Sequence, residues 1–203
     1  MDEQKEFPSW DDYYRENDVE QMPWFDQNLD LDLKEEIELK KLQGGKFLDL
    51  GTGPGTQGMQ LTNLGFDVVG SDLSLNAIER AKKLYTSTSY VVDDILNSKF
   101  PDDKFDYILD RGVFHIFEQE KLPSYLKQIK RILKKNGFLF LKCMSVVEQN
   151  MEDGKGPFLY SKQQIKDFFD TDFEIESIKN SVYYGTINPP PKSLFVVMKN
   201  KKN

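Results

Sequence analysis

Phe47-Leu-Asp-Leu-Gly-Thr-Gly-Pro-Gly-Thr-Gln57 decides the fold of this chain. A short apolar run with one aspartate breaks into a glycine-rich turn, and a helix-like segment follows. This is a strand feeding a loop whose backbone must approach a ligand closely, where a Cβ would block the ligand or forbid the turn. A second apolar run, Phe66-Asp-Val-Val-Gly-Ser-Asp72, ends on an acid at a distance suited to ribose hydroxyls. Together they predict a nucleoside-containing cofactor in a doubly wound α/β domain.

Two cofactor classes compete. Gly53-Pro-Gly55-Thr-Gln-Gly58 satisfies the dinucleotide pattern G-x-G-x-x-G. Its register is off, because the strand ends near Leu50 and the first turn glycine is Gly51. The carboxylates favour another ligand. Asp49, Asp72, Asp94 and Asp110 each stand at or just after the end of a predicted strand, where open α/β sheets bind ligands. A rim of four acids would repel a pyrophosphate and attract a phosphate-free cation. S-adenosylmethionine, with a sulfonium and an ammonium, is such a cofactor.

Four motifs in order carry a family resemblance: Asp49-Leu-Gly51-Thr52-Gly53-Pro-Gly55, Gly70-Ser-Asp72-Leu73-Ser74, Val92-Asp93-Asp94-Ile95-Leu96, and Phe105-Asp-Tyr-Ile-Leu-Asp110-Arg-Gly-Val-Phe-His115. Over roughly residues 44–200 the chain resembles the class I S-adenosylmethionine-dependent methyltransferases. The resemblance implies a seven-stranded, mostly parallel sheet of order 3-2-1-4-5-7-6 with the last strand antiparallel. It implies that the Gly51–Gly55 loop, Thr52 included, packs on the methionine part of the cofactor, with Asp49 near its ammonium. Asp72 would hold the ribose hydroxyls and Leu73 the adenine face. Asp94, or Asp93 in its place, would accept from the exocyclic amine, and the Ile95 amide would donate to a ring nitrogen. Trp24 and Asp110 complete the expected cofactor set.

The Asp110-Arg111-Gly112 triplet and the aromatic N-terminal segment are similar to the thiopurine and related small-molecule methyltransferases. Two departures limit the transfer: Phe114-His115-Ile116-Phe117 is closer to general small-molecule members, and the segment around Trp24 matches only loosely. A small-molecule methyl acceptor is therefore expected, with sulfur, oxygen, nitrogen or a soft inorganic centre as the acceptor atom. Asp110, Arg111 and His115 are the candidates on the substrate side. Arg111 either orients an anionic substrate group or pairs with a nearby acid. His115 is either a general base or a hydrogen-bonded residue under the substrate loop. Trp24, Tyr183 and Tyr184 are candidate pocket walls. Cys143 reads as a small buried residue. Asn188-Pro-Pro-Pro191 resembles the Asn-Pro-Pro-Tyr motif of amine-directed members but lies in the final hairpin loop and reads as a rigid turn.

Composition sets bounds. The 203 residues suit one such domain with a modest extension. A net charge of −7 makes nucleic acid a poor partner, and the basic Lys199-Asn-Lys-Lys-Asn203 reads as a solvated tail. One cysteine and one histidine leave no disulfide framework or dedicated zinc site and fit a reducing compartment. No run approaches a membrane span, and Met1-Asp-Glu-Gln-Lys-Glu lacks the features of a signal peptide. The expectation is a cytoplasmic monomer or homodimer without membrane partner. Residues 1–44 are expected to be a helical, aromatic accessory segment, either a lid or a cover for one sheet face, and residues 45–203 the Rossmann-like domain. The rivals are an NAD(P)-dependent oxidoreductase, a non-catalytic S-adenosylmethionine-binding module, and a methyltransferase acting on protein.

Strands are expected at 46–50, 66–71, 89–92, 105–110 and 137–144, with a final pair at 173–180 and 193–199. Helices are expected after Ser9, at 31–42 ended by Gly44-Gly45, at 55–64, 75–86 and 120–135, and after the capping box Ser161-Lys-Gln-Gln164.

Overall fold

The central apolar runs become strands because they are buried on both faces, as a parallel sheet under two helical layers requires. The computed structural model describes residues 9–147 and 157–202. Its strands are β1 (Lys46–Leu50), β2 (Asp67–Asp72), β3 (Ser89–Val92), β4 (Phe105–Arg111), β5 (Leu133–Met144), β6 (Phe173–Val182) and β7 (Lys192–Asn200). They form one sheet of order β3-β2-β1-β4-β5-β7-β6. The first five pair in parallel, and β7 runs antiparallel to both β5 and β6. This is the expected topology.

The helices are α1 (Trp10–Glu16), α2 (Leu31–Leu39), α3 (Thr56–Asn63), α4 (Leu75–Leu84), α5 (Leu122–Ile132) and α6 (Lys162–Phe169). Strand alternation divides the core. Phe47, Leu109, Phe140, Phe195 and Val197 face α2 and α3, meeting Leu33, Ile37 and Leu61. Leu48, Ile108, Leu139, Leu141 and Val196 face α5 and α6, meeting Tyr125, Ile129, Ile165 and Phe169. Among the described residues no helix is long and apolar enough to cross a membrane.

Helix ends depart from expectation for local reasons. α2 stops at Leu39 because Lys41 adopts φ 52°, and Leu42 N–H closes on Ile37 O at 3.0 Å, ahead of the glycine pair. α5 stops at Ile132, and β5 begins at Leu133 rather than 137. The Asn200 side-chain amide donates to Lys130 O at 3.0 Å and Leu133 O at 2.8 Å, ending the helix from the far strand. Ser161 forms the expected capping box with Gln164. The basic tail is not wholly solvated: Lys202 pairs with Asp103 at 2.7 Å. The Ser145–Leu159 loop lies mostly outside the described residues, as does the N-terminal hexapeptide.

The first forty-odd residues divide in two. α2 belongs to the main core through Leu33 and Ile37. Tyr14 and Met22 instead build a separate cluster with Ala77 of α4, flanked by Trp10, Tyr13, Val19, Trp24 and Phe25. That cluster is pinned to α4 by polar bonds. Asp11 Oδ1 accepts from Ser74 Oγ and from Asn76 N–H, each at 2.9 Å. Arg80 donates to Asn17 O at 2.6 Å and Arg15 O at 3.2 Å, closing the C-terminal end of α1. On the other side Thr186 N–H, in the β6–β7 loop, donates to Pro23 O at 3.2 Å. Residues 9–25 therefore cross the carboxyl end of the sheet.

Candidate active site

The glycine loop after β1 is held by two acids. Asp49 Oδ2 accepts from Thr52 Oγ1 at 2.5 Å and from Gly58 N–H at 2.9 Å. Asp72 Oδ2 accepts from Gly53 N–H, and its Oδ1 from Ser74 N–H, both at 2.9 Å. One acid thus ties the loop to α3 and the other ties it to the start of α4. Gly53 must be glycine: its φ is +51°, and a Cβ there would stand 2.6 Å from Tyr14 Oη. Gly51 has φ +67°, and a Cβ would fall 2.2 Å from Val113 Cγ2.

Burial governs the charge of this floor. Asp49 is 2 % exposed, and desolvation raises its pKa to about 6 despite the bonds from Thr52 and Gly58. Asp72 is also raised by burial, against the backbone bonds from Ser74 and Gly53. At neutral pH the loop therefore rests on two buried carboxylates.

The expected rim of four acids is only partly formed. Asp94 is exposed at the tip of β3, with Oδ1 accepting from Leu96 N–H at 2.9 Å. Asp93 turns inward and holds Lys99 N–H at 2.8 Å, so Asp94 is the one on the surface. Asp110 departs from the expectation. It is fully buried and accepts from Gly112, Val113 and Phe114 N–H and from Tyr125 Oη at 2.7–3.0 Å. Strand alternation sends it to the α5 face, away from its neighbour Arg111. Four donors occupy its oxygens, so it shapes the turn that places Arg111 and Val113 instead of facing a ligand. Leu73 is 60 % exposed beside Asp72, and Ile95 is buried.

Arg111 finds a different acid from its neighbour. Its Nε donates to Asp30 Oδ2 at 3.1 Å, and its two terminal nitrogens donate to Trp24 O at 2.9 Å and Tyr184 O at 2.7 Å. Asp30 Oδ2 also accepts from Lys142 Nζ at 2.6 Å, and Lys142 reaches Asp32 at 2.7 Å. Lys142 is completely buried and Asp30 is 1 % exposed. Burial would raise the Asp30 carboxyl, but Lys142 and Arg111 outweigh it and hold the pKa below its ordinary value.

His115 Nδ1 accepts from Met144 N–H at 3.0 Å. That bond needs the Nδ1 lone pair and places the neutral imidazole hydrogen on Nε2. Of the two alternatives for His115, this geometry is that of the hydrogen-bonded residue. Tyr183 donates to Lys142 O at 2.6 Å and lies under the Arg111 guanidinium, while Tyr184 is exposed. Cys143 is buried, and burial pushes its thiol pKa up.

Tyr14, Trp24, Phe25, Asp49, Gly51, Thr52, Gly53, Pro54, Thr56, Gln57 and Arg111 enclose a cavity of about 30 Å³ above the loop. Trp24 lines this cavity and packs on Tyr13 and Trp10. Asp30, Lys142, Gln57 and Tyr14 were not singled out for the site. Two carried a signal: Asp30 precedes an apolar helix as a cap does, and Lys142 interrupts the apolar run of β5.

Residues 47–137 match a family described as "Methyltransferase domain". Over residues 47–137 the chain is thus a methyltransferase domain of the S-adenosylmethionine-dependent class. It is similar to the ubiquinone biosynthesis O-methyltransferase of Pelagibacter ubique, 30% identical over 125 residues, covering 59% of this chain and 50% of the relative. It is similar to thiocyanate methyltransferase 1 of Brassica oleracea, 27% identical over 154 residues, covering 72% of this chain and 66% of the relative. The chain thus spans about half to two thirds of the length of these curated relatives. A solved structure described as "Conversion of a Disulfide Bond into a Thioacetal Group during Echinomycin Biosynthesis" shares the fold, with a TM-score of 0.80 at 23% identity, over 96% of this chain and 92% of that one. The methyltransferase domain match begins within β1, so the glycine loop and both floor acids lie inside it.

Proposed function

We propose that the chain moves a methyl group from S-adenosylmethionine to a small-molecule acceptor by in-line displacement at the carboxyl ends of β1, β2 and β4. The observation that carries this is the glycine loop fixed between Asp49 and Asp72, two carboxylates buried beneath it. That floor favours a phosphate-free cation and disfavours a pyrophosphate. The cofactor, once bound, supplies an electrophilic methyl group on a sulfonium. The residues of the chain bind and orient. Asp72 has lone pairs remaining for ribose hydroxyls. Exposed Leu73 offers an apolar face to adenine, with Asp94 and the Ile95 amide at its edge. Asp49 balances the ammonium end, and Arg111 is the cation that meets an anionic group. Much of the rate can come from holding donor and acceptor in line.

A small acceptor is supported by the charge of −7, which opposes nucleic acid, and by relatives named for thiocyanate and for ubiquinone biosynthesis. Residues 9–25 act as the lid. The cavity beneath them is about 30 Å³, whereas ligand sites are typically about 300–1,000 Å³. Cofactor entry therefore requires this segment to lift, and its return excludes water from the reaction.

Calorimetry with S-adenosylmethionine, S-adenosylhomocysteine and NADH tests the cofactor, followed by mass-detected methyl transfer across small acceptors and a basic peptide. Micromolar binding of the first two and methylated small products are expected. Binding of the dinucleotide alone would overturn the assignment, and product on the peptide alone would move the acceptor class to protein. Trp10 and Trp24 report on the lid: emission and quencher access that stay constant at saturating S-adenosylhomocysteine would exclude it.

A further inference from the structure

Asp30 does more than its place in the chain requires. As the N-cap of α2, its Oδ1 accepts from Asp32 and Leu33 N–H at 3.2 and 3.4 Å. A helix cap needs only that one side-chain oxygen, and asparagine or serine would supply it without burying a charge. Yet Oδ2 holds two cations, Arg111 Nε and Lys142 Nζ. The backbone of Asp30 is also engaged, its N–H donating to Gln57 Oε1 at 2.8 Å. Gln57 returns a bond to Asn28 O at 2.8 Å. Gln57 and Arg111 are both walls of the small cavity over the glycine loop. One residue, 1 % exposed, therefore fixes two walls of that cavity.

The geometry sets the direction of the guanidinium. With Nε held by Asp30, the terminal nitrogens of Arg111 face Trp24 O in the N-terminal segment and Tyr184 O in the β6–β7 loop. When the segment carrying Trp24 lifts, the donor aimed at that carbonyl turns to the cavity. Arg111 is the one cation lining it among the described residues. An arginine fork suits a carboxylate better than a neutral carbonyl. We propose that Asp30, backed by Lys142, is the positioning residue that aims Arg111 at the carboxylate of the cofactor's amino-acid end. This rests on the methyltransferase function proposed above. It adds a residue that touches no ligand and a defined chemical group for Arg111 to recognise.

Calorimetry of S-adenosylhomocysteine tests it on the full chain, with D30N, R111Q, the D30N/R111Q pair and E36Q. Glu36 lies on the same helix, is itself buried, and pairs at 2.5 Å with the exposed Lys179 rather than with Arg111. D30N and R111Q should each weaken binding about tenfold or more, and the double variant should be no worse than the weaker single. E36Q should lose thermal stability and keep its affinity. The decisive probe is the analogue of S-adenosylhomocysteine that lacks the α-carboxylate. Wild type, D30N and R111Q should bind it alike, which a merely structural role for Asp30 would not produce. If D30N does not fold, D30E keeps the charge and shifts it by one methylene, and the same contrast between the two ligands is expected. Wild-type affinity in D30N, losses that multiply in the double variant, or equal losses for both ligands would refute the proposal. A wild type that binds neither cofactor nor product would instead refute the methyltransferase function itself.

Discussion

Replacing Lys142 by methionine removes a cation that has no access to water. Its Nζ lies 2.6 Å from Asp30, 2.7 Å from Asp32 and 3.2 Å from Val182 O. Methionine fills most of the volume, so the effect isolates the charge. Asp30 would keep Arg111, and Asp32 would keep the Ser181 hydroxyl. Two carboxylates would nevertheless share a buried site with one cation. Breaking such a pair costs about 3–5 kcal/mol, and the surviving partners favour about 3 kcal/mol. For a chain of this size that lowers Tm by about 6–12 °C. The pH dependence gives the sign. In the wild type the Asp30 pKa is held below its ordinary value, so its contribution is present above that value and lost as pH falls through the folded pKa. In the variant Arg111 is the one cation left on Asp30 beside its two backbone N–H donors, and the charged form is less favoured. The deficit should therefore be largest near about pH 7.5 and shrink toward about pH 4.5. D30N/K142M should regain part of the loss, because both ends of the pair are then neutral. Thermal unfolding of the variants across that range measures all three effects. A deficit below about 1 kcal/mol, or one of equal size at both ends of the range, would refute the account of a buried, mutually dependent ion network.

Three further outcomes are expected. Asp72→Asn should weaken S-adenosylhomocysteine binding by about 1.5–3 kcal/mol, and unchanged calorimetric affinity in a folded variant would place the ribose acid elsewhere; Asp72→Ala is a poorer probe, since the side chain also holds Gly53 and Ser74. With the Asp49 pKa raised to about 6 by burial, a cationic cofactor should lower it, release protons and bind more tightly as pH rises through that value; titrations in buffers of different ionisation enthalpy check this, and an affinity flat from about pH 5 to 7.5 would count against Asp49 as the ammonium partner. Gly53→Ala should cost about 1–2 kcal/mol for the left-handed backbone alone. It should also push Tyr14 away from the loop, increasing quencher access to Trp10 and Trp24, and wild-type Tm and tryptophan emission would show that Tyr14 does not bear on the loop.

Much of the fold is legible in local pattern. The alternation of apolar runs with amphipathic segments determines a parallel doubly wound sheet, because crossovers between parallel strands keep one hand. β1 and β3 fall at the expected residues, and the spacing from Gly51 to Asp72 brings loop and acid within 2.9 Å at Gly53. Helix ends were less legible: α5 is ended by Asn200, some seventy residues away, and no local signal records such a partner.

The candidate site shows the same division. Glycines, Asp49 and Asp72 were fixed by short-range spacing, since each acts on backbone within its own strand–loop–helix unit or the adjacent one. Asp110 and Arg111 are adjacent in sequence, yet the pleat sends one to the α5 face, saturated with backbone donors, and the other to Asp30. Only the tertiary structure set Lys142 against Asp30 across 112 positions of chain, and only it laid Tyr14 over Gly53. Composition and periodicity specify which face of each element is buried. They do not specify which two buried charges meet, because that depends on the order of strands in the sheet and on the path of a segment that crosses its end.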